Sequence, residues 1–190
     1  MKIKRRLIFA AAVCISAAGM LVGCSNPQKE GTAALEEGNY AEALTRFQKA
    51  AESDDREKAA EGYRGLGMAY YESGQYEKAL EAFQQAVDLG AEETVQLYHL
   101  MASCGMQTWK SEEDYTAVLG YIQTGLALAE IADGEEAPDT DMIREMKYNE
   151  IICYENLADW ENARQKGEEY LSEYPDDETV QKEAEFLKTR

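Results

Sequence analysis

From Tyr63 to Leu89 the chain reads YRGLGMAYYESGQYEKALEAFQQAVDL, with apolar positions falling on two separate helical stripes. Tyr63, Leu66, Gly67, Tyr70 and Tyr71 recur at spacings of three and four, the period of one helix face. Gly74 interrupts the pattern where a helix would hand over to a left-handed residue. Tyr76, Ala79, Leu80, Phe83, Ala86 and Val87 then form a second stripe, closed by Gly90. The pattern predicts two helices folded back on each other. Gly67, Ala79 and Ala86 allow the backbones to approach, while Tyr70 and Phe83 fill the space between helices. Neither helix can bury its apolar face alone, so neighbours of the same kind are required.

A neighbour stands 36 residues upstream. GNYAEALTRFQKA (Gly38 to Ala50) aligns with GQYEKALEAFQQA (Gly74 to Ala86), matching Gly38, Tyr40, Ala43, Leu44, Phe47, Gln48 and Ala50 to Gly74, Tyr76, Ala79, Leu80, Phe83, Gln84 and Ala86. Gly31 likewise matches Gly67. These residues at these offsets resemble the tetratricopeptide repeat, whose period is about 34 residues. The resemblance implies an all-α solenoid of three to four helical hairpins plus a capping helix. The two extra residues in the spacing are expected in the linker around Asp54 to Lys58.

Expected repeats run over 27–54, 60–89, 94–131 and 141–175, with a capping helix over 177–188, all within one domain spanning 24–190. In the third, Val95 to Met106 forms the first helix, and the second starts late, after Trp109-Lys110. Ser111 followed by Asp114 resembles a capping box with Asp in place of Glu. The segment from Asp133 to Asp141 carries five carboxylates with a glycine and a proline and reads as a solvated linker. Calcium binding there is disfavoured because the spacing does not fit an EF-hand loop. In the fourth repeat Tyr154, Trp160, Ala163 and Pro175 occupy family positions, whereas Gly167 and Tyr170 invert the expected sizes. Val180, Ala184 and Leu187 are expected to cover the last repeat, with Glu183, Glu185 and Lys188 in water.

The N-terminus is different in kind. Lys2, Lys4, Arg5 and Arg6 precede a short apolar run from Leu7 to Val22, a secretory pattern too short for a comfortable membrane span. Its end, Leu21-Val22-Gly23-Cys24, resembles the lipobox of bacterial lipoproteins. That resemblance implies a cleaved signal over 1–23 and lipidation of Cys24, placing the chain on the extracytoplasmic side of a cell membrane; a plain signal peptide or uncleaved anchor is the alternative. Loss of the four basic residues would take the net charge from −18 to −22. Such a charge opposes binding to nucleic acid or anionic head groups.

Catalytic and metal chemistry find no support. His99, the only histidine, has no serine or cysteine motif around it. Cys104 and Cys153 read as buried thiols, with a disulfide as the lesser alternative. Carboxylate pairs such as Glu36-Glu37 and Glu168-Glu169 lie at solvent-facing positions, and no phosphate loop or HExxH motif occurs. No enzyme activity, cofactor or metal is expected.

What the repeat resemblance implies instead is a concave groove lined by first helices. Carried over by position, its residues would be Thr32, Leu35, Arg64, Met68, Tyr71, Tyr98, Ala102, Tyr148 and Ile152. Tyrosine and arginine are common binding anchors, so the expected partner is a protein contributing an extended peptide or a helix. The alternatives are that several of these residues only pack between repeats, or that the protein is a structural accessory of an envelope, secretion or pilus machine.

Overall fold

A computed structural model describes residues 26–132 and 139–190. The signal segment, Cys24 and most of the acidic linker lie outside the described residues. Among the described residues there are nine helices and no strand: α1 (Pro27–Glu36), α2 (Tyr40–Ala51), α3 (Arg56–Glu72), α4 (Tyr76–Asp88), α5 (Val95–Thr108), α6 (Glu112–Ile131), α7 (Thr140–Asn156), α8 (Trp160–Glu173) and α9 (Glu178–Leu187). Each packs on the next in order, giving four hairpins and a terminal helix stacked in sequence. None of the described helices is long and apolar enough to cross a membrane.

Short polar side chains set the helix starts. Asn26, Asn39, Asp55, Thr94, Ser111, Asp139, Asp159 and Asp177 each accept a hydrogen bond from a first-turn backbone N–H. Asp55 moves the start of α3 to Arg56, ahead of the expected position 60. Arg56 then donates to the carbonyls of Leu89 and Asp88, both at 2.9 Å, capping the far end of α4. The capping box is present as expected. The Asp114 carboxylate accepts from Lys110 N–H at 2.7 Å and Ser111 N–H at 2.9 Å, and these bonds hold its pKa below the usual carboxylate value.

The hairpin turns share one device. Gly38 and Gly74 take positive φ and their N–H groups bond back three residues, while Asn39 and Gln75 bond back five, the Schellman pattern. Ala158 repeats these bonds at φ 55 without being glycine. Two stabilising substitutions follow. Ala158→Gly relieves the left-handed penalty of a Cβ, and Gly120→Ala fills an open position within α6. Each is expected to raise stability by about 0.5–1 kcal/mol in urea titrations.

Phenylalanines tie the first hairpins together. Phe47 from α2 packs with Ala34, Leu66 and Ala69, and Phe83 from α4 with Leu97 and Met101. The third cluster centres on Val118, Ile122 and Met146, and the fourth on Ile151, Tyr170, Val180 and Leu187. Leu187 of α9 approaches the bare face of Gly167 while Tyr170 is buried beside it, which is the size inversion the sequence indicates. Val180 and Leu187 cover the last repeat as expected. Glu183 does not face water alone; it meets Glu155 on α7.

Candidate functional site: the inner face of the repeats

The first helices present one continuous face. At its N-terminal end a cavity of about 260 Å³ opens between α1, α3 and α5. Phe47 and Phe83 form its floor, and Leu35, Met68, Leu97 and Leu100 its apolar walls. Thr32 and Gln28 of α1, Arg64 of α3, and Thr94 and Gln96 at the start of α5 add a polar rim. Arg64 is held on that rim by Glu61 at 2.6 Å. Gln28 donates to the Glu61 carbonyl at 3.2 Å, leaving its own Oε1 buried without a partner.

Tyr71 carries the face onward. It packs edge-on against Tyr76 at 5.6 Å between ring centroids, with Ser103 of α5 and Glu145 of α7 as neighbours. Burial is the main cause that raises its pKa, and the nearby Cys104, Tyr76 and Glu145 add to the effect. His99 reaches Glu145 with Nε2 3.2 Å from the carboxylate oxygen, so the lone histidine links α5 to α7. Beyond it a second cavity of about 410 Å³ is bounded by Asp141, Arg144, Glu145 and Tyr148 from α7 and by Tyr170, Asp177 and Val180. Ile152 lies half-buried one turn after Tyr148 on α7.

Two residues expected in the groove are not on its surface. Tyr98 is 8% exposed and Ala102 1%. Tyr98 donates its hydroxyl to Glu93 at 2.6 Å and lies close to Gly125 of α6; Ala102 packs with Val118, Ile122 and Met146. The cause is register. Tyr98 and Ala102 follow Arg64 and Met68 by 34 residues, the family period, and at that register on α5 they pack toward α6. Leu97 and Leu100 are the apolar residues of α5 that line the cavity.

The charge on this face is uneven. At the α7–α9 junction Glu155 meets Glu183. Burial, then the hydrogen bond and repulsion of Glu183, push the Glu155 carboxyl up to about 7. Its Oε1 is buried without a partner. A carboxyl raised in this way stabilises the fold fully below its ordinary pKa of 4.5, and that contribution is lost as pH climbs to about 7. Glu155→Gln is therefore expected to raise Tm at pH 8, by roughly 2–4 °C for about 1 kcal/mol after allowing for solvent screening. At pH 4.5 it should change little. A difference independent of pH would contradict the assignment.

A third cleft, of about 660 Å³, lies elsewhere, between α6, α7 and α8. Both of its lysines are engaged: Lys147 contacts Glu173 at 2.6 Å, and Lys166 contacts buried Glu150 at 3.4 Å and Glu169 at 3.2 Å. Cys104 and Cys153 are buried free thiols in separate clusters, both pushed up to about 12 by burial. They are packing residues and poor nucleophiles.

An inner face of stacked first helices over a floor supplied by second helices defines the class: an all-α helical-hairpin repeat protein. Within that class, the tetratricopeptide repeat model matches residues 29–93, about a third of the chain. Among solved structures, YrrB, described as a TPR protein with an unusual peptide-binding site, superposes with a TM-score of 0.67 at 19% identity, covering 85% of this chain and 74% of that one. A MamA RS-1 double mutant gives 0.64 at 14% identity, covering 88% and 86%. MamA AMB-1 gives 0.60 at 15%, covering 85% and 84%. These likenesses establish the fold. No curated protein matches the chain in sequence.

Proposed function

We propose that this protein is a membrane-anchored, extracytoplasmic lipoprotein that recruits a partner protein by binding an extended peptide or a helix along its inner face. The observation that carries the reading is the apolar cavity between α1, α3 and α5, walled by Leu35, Met68, Leu97 and Leu100 and rimmed by groups that offer hydrogen bonds. Apolar walls with a few fixed polar groups suit the side chains and backbone of a docked segment. The working residues are Thr32, Leu35, Arg64, Met68, Tyr71, Tyr148 and Ile152, with Leu100 taking the place expected of Tyr98 and Ala102. YrrB, with its peptide-binding site, lends support as a protein of the same fold. The anchor is Cys24, supported by the lipobox-like Leu21-Val22-Gly23-Cys24 behind a basic, apolar leader. Two or more acyl chains there would make membrane attachment durable.

The test is quantitative affinity purification from detergent-solubilised cells. Wild type is compared with Met68→Glu/Leu100→Glu and with Glu81→Lys on an exposed position of α4. Proteins retained by wild type and the α4 variant but lost with the groove variant are the expected result. Identical profiles for all three would instead favour a structural accessory role. Incorporation of an alkynyl fatty acid into wild type but not Cys24→Ala checks the anchor separately.

A further inference from the structure

We propose that the segment received by the inner face joins an apolar anchor to basic side chains, the anchor seated between α3 and α5 and the basic groups over α7 and α9. This rests on the groove reading and adds the chemistry of its occupant.

The face changes character along its length. At the N-terminal cavity the walls are aliphatic, and Arg64, the one cation lining it among the described residues, is neutralised by Glu61 at 2.6 Å. Past Tyr71 the polarity becomes acidic. Asp141, Glu145 and Asp177 border the second cavity, and Glu155 and Glu183 meet beside Tyr148. Among the described residues the cavity's border holds three carboxyl groups, Asp141, Glu145 and Asp177, against one cation, Arg144. Its guanidinium stacks 6.0 Å from the Tyr174 ring centroid and stands 4.0 Å from Asp177. Lys147 and Lys166, the other cations near α7, are committed to the cleft between α6 and α8.

Two features indicate a donor that the fold does not itself supply. The Glu155 and Glu183 carboxyls are paired with each other and not with a base, although two acids in contact are stable only if one keeps its proton. Glu155 Oε1 is also buried with no hydrogen bond. A lysine or arginine from a partner seated beside the pair would let both carboxylates ionise. The cavities at the two ends fix the order, apolar at α1–α5 and basic at α7–α9. Charge complementarity of this kind sets partner choice and association rate more than it adds raw affinity.

The probe is a random 12-residue peptide library displayed on phage, selected on the full chain in detergent. Peptides carrying an aliphatic or aromatic residue with two or more Lys or Arg to one side are expected to be enriched. Their synthetic versions should bind about tenfold more weakly to Glu145→Lys, a substitution at an exposed site, and to Met68→Glu. Glu155→Gln, which keeps the shape and removes the charge, should weaken them without affecting uncharged peptides. Enriched peptides that depend on Met68 but lack basic residues and ignore Glu145→Lys would overturn this inference and leave the groove reading standing. Enrichment insensitive to Met68→Glu and Leu100→Glu, or no enrichment, would overturn both.

Discussion

Gly62→Ala is expected to destabilise the protein by about 3 kcal/mol, the upper part of the usual overpacking range. A Cβ at Gly62 would lie 2.3 Å from the Ala51 nitrogen and 2.6 Å from the Ala50 carbonyl carbon. These are backbone atoms of the neighbouring helix, so no rotamer change can make room. The only relief is to move α2 away from α3, which also lifts Phe47 from Leu66 and Ala69. At roughly 2–4 °C per kcal/mol for a chain of this size, Tm should fall by about 6–12 °C. Gly120→Ala, also within a helix but in open space, should move it slightly the other way. Calorimetry on both variants separates close approach from the general helix preference for alanine. Equal effects would show that α2 and α3 are not in such contact.

Phe83→Ala should cost about 3–5 kcal/mol, the range for deleting a buried aromatic ring. Phe83 is fully buried, packs with Leu97 and Met101, and forms part of the floor of the apolar cavity. Its effect on binding should exceed its effect on folding, because the floor of the groove drops while the outer repeats remain stacked. Repeat arrays lose stability locally in this way, since each unit contacts only its neighbours. The partner of the ring is Gly67, where a Cβ would meet the Phe83 ring at 2.4 Å. Gly67→Ala alone should be strongly destabilising; combined with Phe83→Leu it should cost clearly less than the sum of the two single changes. Non-additivity of 1 kcal/mol or more in a double-mutant cycle is the expected sign of contact. Strict additivity would place the two residues apart.

These contacts mark what the sequence discloses and what it hides. Gly38, Gly74 and Gly90 punctuate the hairpins because a left-handed turn favours glycine, and Gly31 and Gly67 stand out by their shared 36-residue offset. The Ser111–Asp114 box is legible because its chemistry is local. Gly62 and Gly65 escape notice: they sit among good helix formers, and the backbone and ring they accommodate belong to another helix. Ala158 gives no compositional sign of its positive φ. The groove register fails at α5 because VQLYHLMASCGM is apolar on nearly every side, so no face announces itself. The Glu155–Glu183 pair joins residues on separate helices, and only folding brings them together.

The central claim is that the inner face of the first helices is the working surface. Its most direct test is photo-crosslinking in living cells, with a photoreactive residue placed at Leu100, Tyr71 or, as an outward control, Glu81. A discrete adduct from Leu100 and Tyr71 that is absent from Glu81 and disappears with Met68→Glu is the expected result. Adducts from Glu81 alone, or groove adducts unchanged by Met68→Glu, would contradict it and move the working surface to the outer helices.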